Sequence, residues 1–343
     1  MSWSGIDAID GAIKRTKKAL IEPFNFWKWV KLGIIVFLIG GGSRVSSSNP
    51  VSFSGPYRGE QIPVPTMDEV ISQVTRFWQE YFTIILVVAV FILFLILLFS
   101  YISSVMEFVL VESLVTDVVT FWASSRKYLR IGFNLFIIRL GVGLFLLSLL
   151  ILFMLPVLKL ITGSPGIILA EMIFGIILRV IVILLGLAVV NGITQSFINL
   201  SIPLAMYNDM GIVKAIKSVA GKAIADWKQI VMYWIIRILL GIAAGIAVGI
   251  AVFILILAIL AILAIPAVVL YYIMSGIGAQ ALFWILMVLY GLIALIVFFL
   301  FILIVSVPVP VFMKYHMLTF LKMWHEDARI PFVEIGGQGE QLS

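Results

Sequence analysis

Residues 238–313 read ILLGIAAGIAVGIAVFILILAILAILAIPAVVLYYIMSGIGAQALFWILMVLYGLIALIVFFLFILIVSVPVPVFM, 76 positions without one Asp, Glu, Lys or Arg. A helix needs about 20 mostly apolar residues to cross a hydrocarbon core about 30 Å thick. The stretch therefore holds at least two crossings, and Ser275-Gly276-Ile277-Gly278 is the turn signal that divides it. Three crossings would fit the length. However, no polar or Gly/Pro break lies between Ile250 and Pro266, and a third crossing would carry Lys314, Lys322 and Arg329 away from the other basic segments. Two long helices are preferred, with the excess length taken up by tilt, by a kink at Pro266 or by ends beyond the core.

Working outward, shorter charge-free runs cover 81–106, 140–158 and 180–208. A weaker one begins near Trp27 and carries Lys28 and Lys31 at its start, where lysines snorkel to headgroups. The expected fold is all-α: a polytopic transmembrane bundle of six spans, at 27–42, 82–113, 132–162, 167–206, 229–272 and 280–313. Composition agrees. Of 343 residues 63% are hydrophobic and 12% charged, against about 45–50% and about 25% in soluble domains. A water-soluble fold, a disordered chain and a nucleic-acid partner are excluded. With no cysteine and only His316 and His325, there is almost nothing from which to build a thiolate or histidine metal site or a Ser-His-Asp triad. No phosphate, metal or dinucleotide motif is present, and no cofactor is expected.

Sixteen of the 23 Lys and Arg fall in four segments that six crossings place on one side: 1–31, 126–130, 214–228 and 314–329. The positive-inside rule then puts both termini in the cytoplasm of a cell-membrane protein. The chain reads as one transmembrane domain over 1–343, with an amphipathic cytoplasmic helix at 1–22, an extracytoplasmic loop with a short helix at 43–81, and a cytoplasmic tail at 314–343. The short outer helix starts from the capping pattern Thr66-Met67-Asp68-Glu69. Four amphipathic, membrane-proximal helices are expected, lying in the interface or packing on the bundle's own ends. The first shows Ile6, Ile9, Ile13 and Leu20 on one side. Others begin near Thr116 or Asp117 and near Asn208 or Asp209, and the fourth carries Met317, Phe320, Leu321 and Trp324.

Ala12-Ile13-Lys14 matches Ala215-Ile216-Lys217, and Ile137-Ile138-Arg139-Leu140 resembles Ile235-Ile236-Arg237-Ile238. Ser201-Ile202-Pro203 and Ser306-Val307-Pro308 recur before two helix ends. Three tandem two-helix units, all pointing the same way, account for these matches. The stretch Ser201 to Tyr207, with Asp209, Gly211 to Ala215, Trp227, Tyr233 to Arg237 and Pro310 to Tyr315, resembles uncharacterised archaeal six-helix membrane proteins. More distantly it is similar to the membrane domain of some glycerophosphodiester phosphodiesterases. The resemblance implies a six-helix membrane fold and supplies no catalytic residues.

Charges inside a membrane face protein, water or a partner. Arg179 is the deepest; Arg139 and Arg237 lie about two turns inside their helices, level with Glu107 and Glu112. A Glu112–Arg139 or Glu112–Arg237 pair would neutralise both partners. Asn191, Gln195 and Asn199, four apart, share one face of helix four that points into the bundle. Interhelical hydrogen bonding is one reading of that face. The sharper one is a polar cavity open to the cytoplasm, lined by Glu112, Arg139, Arg179, Asn191, Gln195, Asn199 and Arg237. Gly241, Gly245 and Gly249 form a small-residue seam, expected to pack within the chain rather than against a second copy. Glu107 and Glu112, five apart, point about 140° away from each other, which is no catalytic pair. The leading expectation is a non-enzymatic protein organising lipid or protein partners. Its expected partners are anionic headgroups, with a homo-oligomer or a second membrane protein beside them. A transporter or channel using the helix-four face comes next, and an enzyme last.

Overall fold

The computed structural model describes residues 3–40, 67–162, 170–276, 280–325 and 327–332. The Ser/Pro/Gly-rich part of the expected outer loop, with Arg44 and Arg58, lies outside them. So do Ile277 and Gly278 of the turn and the tail beyond Phe332.

Apart from short connections and residues 325–332, the described residues are helical: α1 Ser4–Leu20, α2 Phe26–Gly40, α3 Met67–Thr116, α4 Phe121–Thr162, α5 Ala170–Tyr207, α6 Ile212–Ala225, α7 Trp227–Gly276, α8 Gln280–Val305 and α9 Pro308–Trp324. Five stretches are long and apolar enough to cross a membrane: Thr75–Thr116, Phe121–Val157, Phe174–Tyr207, Trp227–Gly276 and Leu282–Trp324. This is a multi-pass membrane protein. The expected first span, α2, has 15 described helical residues, about 22 Å at 1.5 Å per residue.

Several expected breaks are absent. The short outer helix is the beginning of the 50-residue α3, and the helix expected after Asp117 is the first part of the 42-residue α4. Each runs on into its span because no proline stands at the junction near 82 or 132. Real stops occur at Asp117 and Asp209, whose φ of 58° and 48° lie in the left-handed region that Asp tolerates better than most residues. Asp117 also accepts a hydrogen bond from Lys28 Nζ at 2.8 Å, which ties the start of α2 to the end of α3.

The last helix departs most from expectation. α8 ends at Val305 and α9 begins at Pro308, so the apolar stretch Leu282–Trp324 is broken at Ser306 and Val307, inside the expected span 280–313. Of the two expected settings, packing on the bundle describes α9, which buries Val311, Tyr315, Met317, Leu318, Phe320, Leu321 and Trp324. A helix apolar on every side is a core helix. Around it sit α1, the last turns of α3 and α5, α6 and the first turns of α7, forming one hydrophobic core. His316, Tyr233, Phe320 and Trp324 stack in series through it, with rings 4.2–5.7 Å apart.

α1 packs through small residues. Gly5, Ala8, Ala12, Ala19 and Leu20 are buried, while Ile6 and Ile13, on its expected apolar side, are exposed. Small residues let backbones approach: Gly11 lies against Thr319, and Gly5 against Tyr233 and Ile236. His316 Nε2 pairs with the Gly5 carbonyl at 3.0 Å.

Beyond the core the helices form an incomplete ring. α4 packs on α3 and α5, α3 on α2, α2 on α8, and α8 on α7. Gly33 of α2 faces Leu303 of α8, and Gly132 of α4 faces Val105 of α3, each too closely for a Cβ. α5 and α7, which would close the ring, do not pack along their length. They meet where Trp234 Nε1 donates to Ser196 Oγ at 2.9 Å and Trp234 packs edge-on against Phe197. Around the core end, Trp27, Trp122 and Trp227, at the starts of α2, α4 and α7, are 70%, 76% and 59% exposed. Exposed tryptophans at such positions form an interfacial belt.

Candidate functional site

The ring encloses a polar space just beyond the core. Its floor is a charge cluster drawn from four helices. Glu107 of α3, 8% exposed, accepts a hydrogen bond from Lys314 Nζ of α9, also 8% exposed. The other oxygen of Glu107 lies 3.3 Å from Arg139 Nη2 of α4, and the same Nη2 donates to Asn199 Oδ1 of α5 at 3.3 Å. Arg139 Nε is buried and has no hydrogen-bond partner among the described residues. Arg237 of α7 donates to Tyr233 Oη at 2.6 Å. Ser103 Oγ holds the Ile39 carbonyl at 3.0 Å, fixing the end of α2 on α3.

Two connected lobes rise from this floor. One, about 400 Å³, lies among α2, α3, α4 and α5 and is lined by Ser100, Ser103, Arg139 and Asn191. The other, about 660 Å³, lies among α5, α7 and α9 and is lined by Gly192, Ile193, Arg237, Ile238 and Lys314. Ile39, Glu107, Leu110, Gln195, Asn199 and Pro310 border both. Below the floor the packed core begins, with Val111, Leu114, Leu318 and Leu321 buried. At the upper rim Val189, Asn191, Gly192 and Ile238 are exposed. The space thus opens away from the core, through the incomplete side of the ring.

Electrostatically the site is one-sided. Arg139, Arg237 and Lys314 line it against a single carboxylate, Glu107. Ions removed from water need partners, and Glu107 balances one of the three. The remaining donors are suited to an anion. Outside the spanning helices, hydrogen bonding to Glu22 raises the Lys17 pKa, and burial lowers that of Arg15. Neither group borders the cavity.

Of the seven residues expected to line a cavity, Arg139, Asn191, Gln195, Asn199 and Arg237 do so. Glu112 and Arg179 line neither lobe. Glu112 receives hydrogen bonds from Lys127 Nζ at 2.6 Å and Tyr128 Oη at 2.9 Å, so it joins the ends of α3 and α4 instead of meeting Arg139 or Arg237. Arg179 is exposed, about 18 Å along α5 from Asn191. The space also opens away from the basic end, where the sequence reading had it open to the cytoplasm. Gly241, Gly245 and Gly249 have nothing within 4 Å of where a Cβ would stand, so in the described residues this seam packs against no other helix.

Sequence reasoning missed Glu107 and Lys314 as cavity residues. Lys314 was read as the first residue of the tail, although Val311-Phe312-Met313 before it and Tyr315-His316-Met317-Leu318 after it carry no formal charge with His neutral. A lone cation in such surroundings is the signal for a buried partner.

No curated protein and no solved structure matches the chain. A family profile matches residues 3–330. A chain of charged helix ends packed around an apolar last helix, with a polar space above it, thus belongs to the DUF7544 family, a family of unknown function.

Proposed function

We propose that this is a non-enzymatic integral membrane protein that organises lipid or protein partners at the cytoplasmic membrane, with the cavity as its binding site. The observation that carries this is the imbalance of three cations against one carboxylate in a space bordered by the amide row of α5. The belt of exposed Trp27, Trp122 and Trp227 beside the basic ends of the helices supports placing the site just inside a membrane surface. The reading takes six crossings, with α2 and the residues after it as the first, in three two-helix units. It puts both ends of the chain on the cytoplasmic side, where Lys and Arg concentrate. The archaeal resemblance, and the distant one to phosphodiesterase membrane domains, fit this layout and add no reactive group.

The test is native mass spectrometry of the full chain released from mild detergent, wild type beside Asn191→Leu/Gln195→Leu. Wild type is expected to carry a bound molecule that the folded double variant lacks. A folded wild type that carries nothing, and whose unfolding temperature does not respond to added anionic amphiphiles, would refute the reading. A second reading, transport of a small solute, draws on the row Asn191, Gln195, Asn199, which climbs from the charge cluster at one-turn intervals. Solute flux through reconstituted vesicles that the double variant abolishes would favour it.

A further inference from the structure

We infer that the cavity takes the headgroup of an anionic phospholipid, which enters sideways from the bilayer through the gap between α5 and α7. This rests on the reading of the cavity as a binding site and names its ligand class.

The charge of the site selects the headgroup. Three cations face the space and Glu107 offsets one of them, through Lys314 Nζ and Arg139 Nη2. Arg139 Nε has no hydrogen-bond partner among the described residues, and Arg237 spends one nitrogen on the neutral Tyr233 hydroxyl. A phosphate oxygen supplies what these donors lack, and charge-assisted contacts of guanidinium to phosphate are among the stronger polar interactions. A zwitterionic lipid would bring an ammonium group among the same cations. Anionic headgroups without an amine, such as phosphoglycerol, bring hydroxyls instead, and hydroxyls suit Gln195, Asn199 and Ser196.

The shape of the entrance selects a lipid over a free anion. α5 and α7 separate beyond the Trp234–Ser196 bond. The edges of the gap there are Val189, Gly192 and Ile193 on one side and Ile238 on the other. These apolar residues sit on spanning helices, so the opening faces hydrocarbon. A free phosphate would have to cross that hydrocarbon, whereas a lipid leaves its acyl chains in it. At the opposite end the way is filled by the packed core. The α5–α7 lobe, about 660 Å³, is within the range of ligand sites, about 300–1,000 Å³.

The experiment places the full chain in bilayer discs containing phosphatidylglycerol and phosphatidylcholine in equal amounts. Native mass spectrometry then reads the lipid retained after the bulk bilayer is stripped. Wild type is expected to keep one phosphatidylglycerol. Arg237→Gln should weaken retention about tenfold or more. Gly192→Trp leaves every cation in place and puts its first atom where nothing lies within 4 Å. It should block uptake, and it keeps the test open if the arginine variant fails to fold. Equal retention of phosphatidylcholine would overturn the inference. So would inorganic phosphate that displaces the lipid and binds Gly192→Trp as well as wild type, which would make the ligand a free anion. If neither lipid nor phosphate is held but another molecule is, lost in Asn191→Leu/Gln195→Leu, the lipid inference fails and the binding site survives. If nothing is held at all, both fail.

Discussion

Two stretches of α3, 84–99 and 103–115, are both dominated by large apolar residues and have opposite surroundings. From Val105 to Val115 nearly every side chain is buried, whereas Ile84 is 61% and Phe94 is 58% exposed. Hydrophobicity does not distinguish them. In a membrane the lipid is as apolar as the side chains, so a row of Phe and Leu has no drive to leave it. What marks the packed half is its polar and small residues: Ser103, Ser104, Glu107 and Ser113 are all buried there. The same holds for glycine. Gly5, Gly33 and Gly132 touch neighbours too closely for a Cβ, while Gly241, Gly245 and Gly249 touch none.

The contrast is sharpened most by attacking the charge cluster. Glu107→Gln leaves Lys314 and Arg139 in the floor without their shared carboxylate. A loss of about 3–5 kcal/mol is expected for such a broken buried pair, read as the unfolding midpoint in detergent. Phe320→Ala opens the stack between Tyr233 and Trp324 and should cost about 3–5 kcal/mol by the same measurement. Gly132→Leu drives a side chain into Val105 and should cost about 1–3 kcal/mol. On the open half, Leu257→Ala should change the midpoint by no more than about 0.5 kcal/mol. Gly245→Leu should leave the monomer's unfolding unchanged. If it lowers the midpoint as Gly132→Leu does, the seam packs inside the chain after all. If it instead dissociates an oligomer into folded monomers, the glycine face belongs to a second copy.

Much of the fold was legible. Charge-free runs located the long helices because a charge in hydrocarbon is costly, and the four-residue spacing of Asn191, Gln195 and Asn199 identified the helix face that lines the cavity. Helix ends were less legible: α3 and α4 run through their expected breaks near 82 and 132, where no proline interrupts the helical hydrogen bonds. Partners were least legible. Glu112 stood as close in sequence reasoning to Arg139 as Glu107 did, and only the rotation of α3 against α4 sends one to Lys127 and the other to Arg139. Likewise the most apolar side of α1 carries Ile6 and Ile13, while the side that packs is made largely of Gly and Ala, since contact distance depends on side-chain size rather than on water avoidance.

The seating of α1 on α9 has a consequence for how the molecule is made. His316 and the carbonyl of Gly5 are 311 residues apart in the chain, and the surface α1 covers is built largely from α9. During synthesis the first helix therefore waits at the membrane without its seat while span after span is inserted. The floor of the cavity waits too, because Glu107 has no lysine until α9 arrives. The bundle is closed by its late-made helix, so a chain interrupted before Pro308 would be inserted in the bilayer with its core still unassembled.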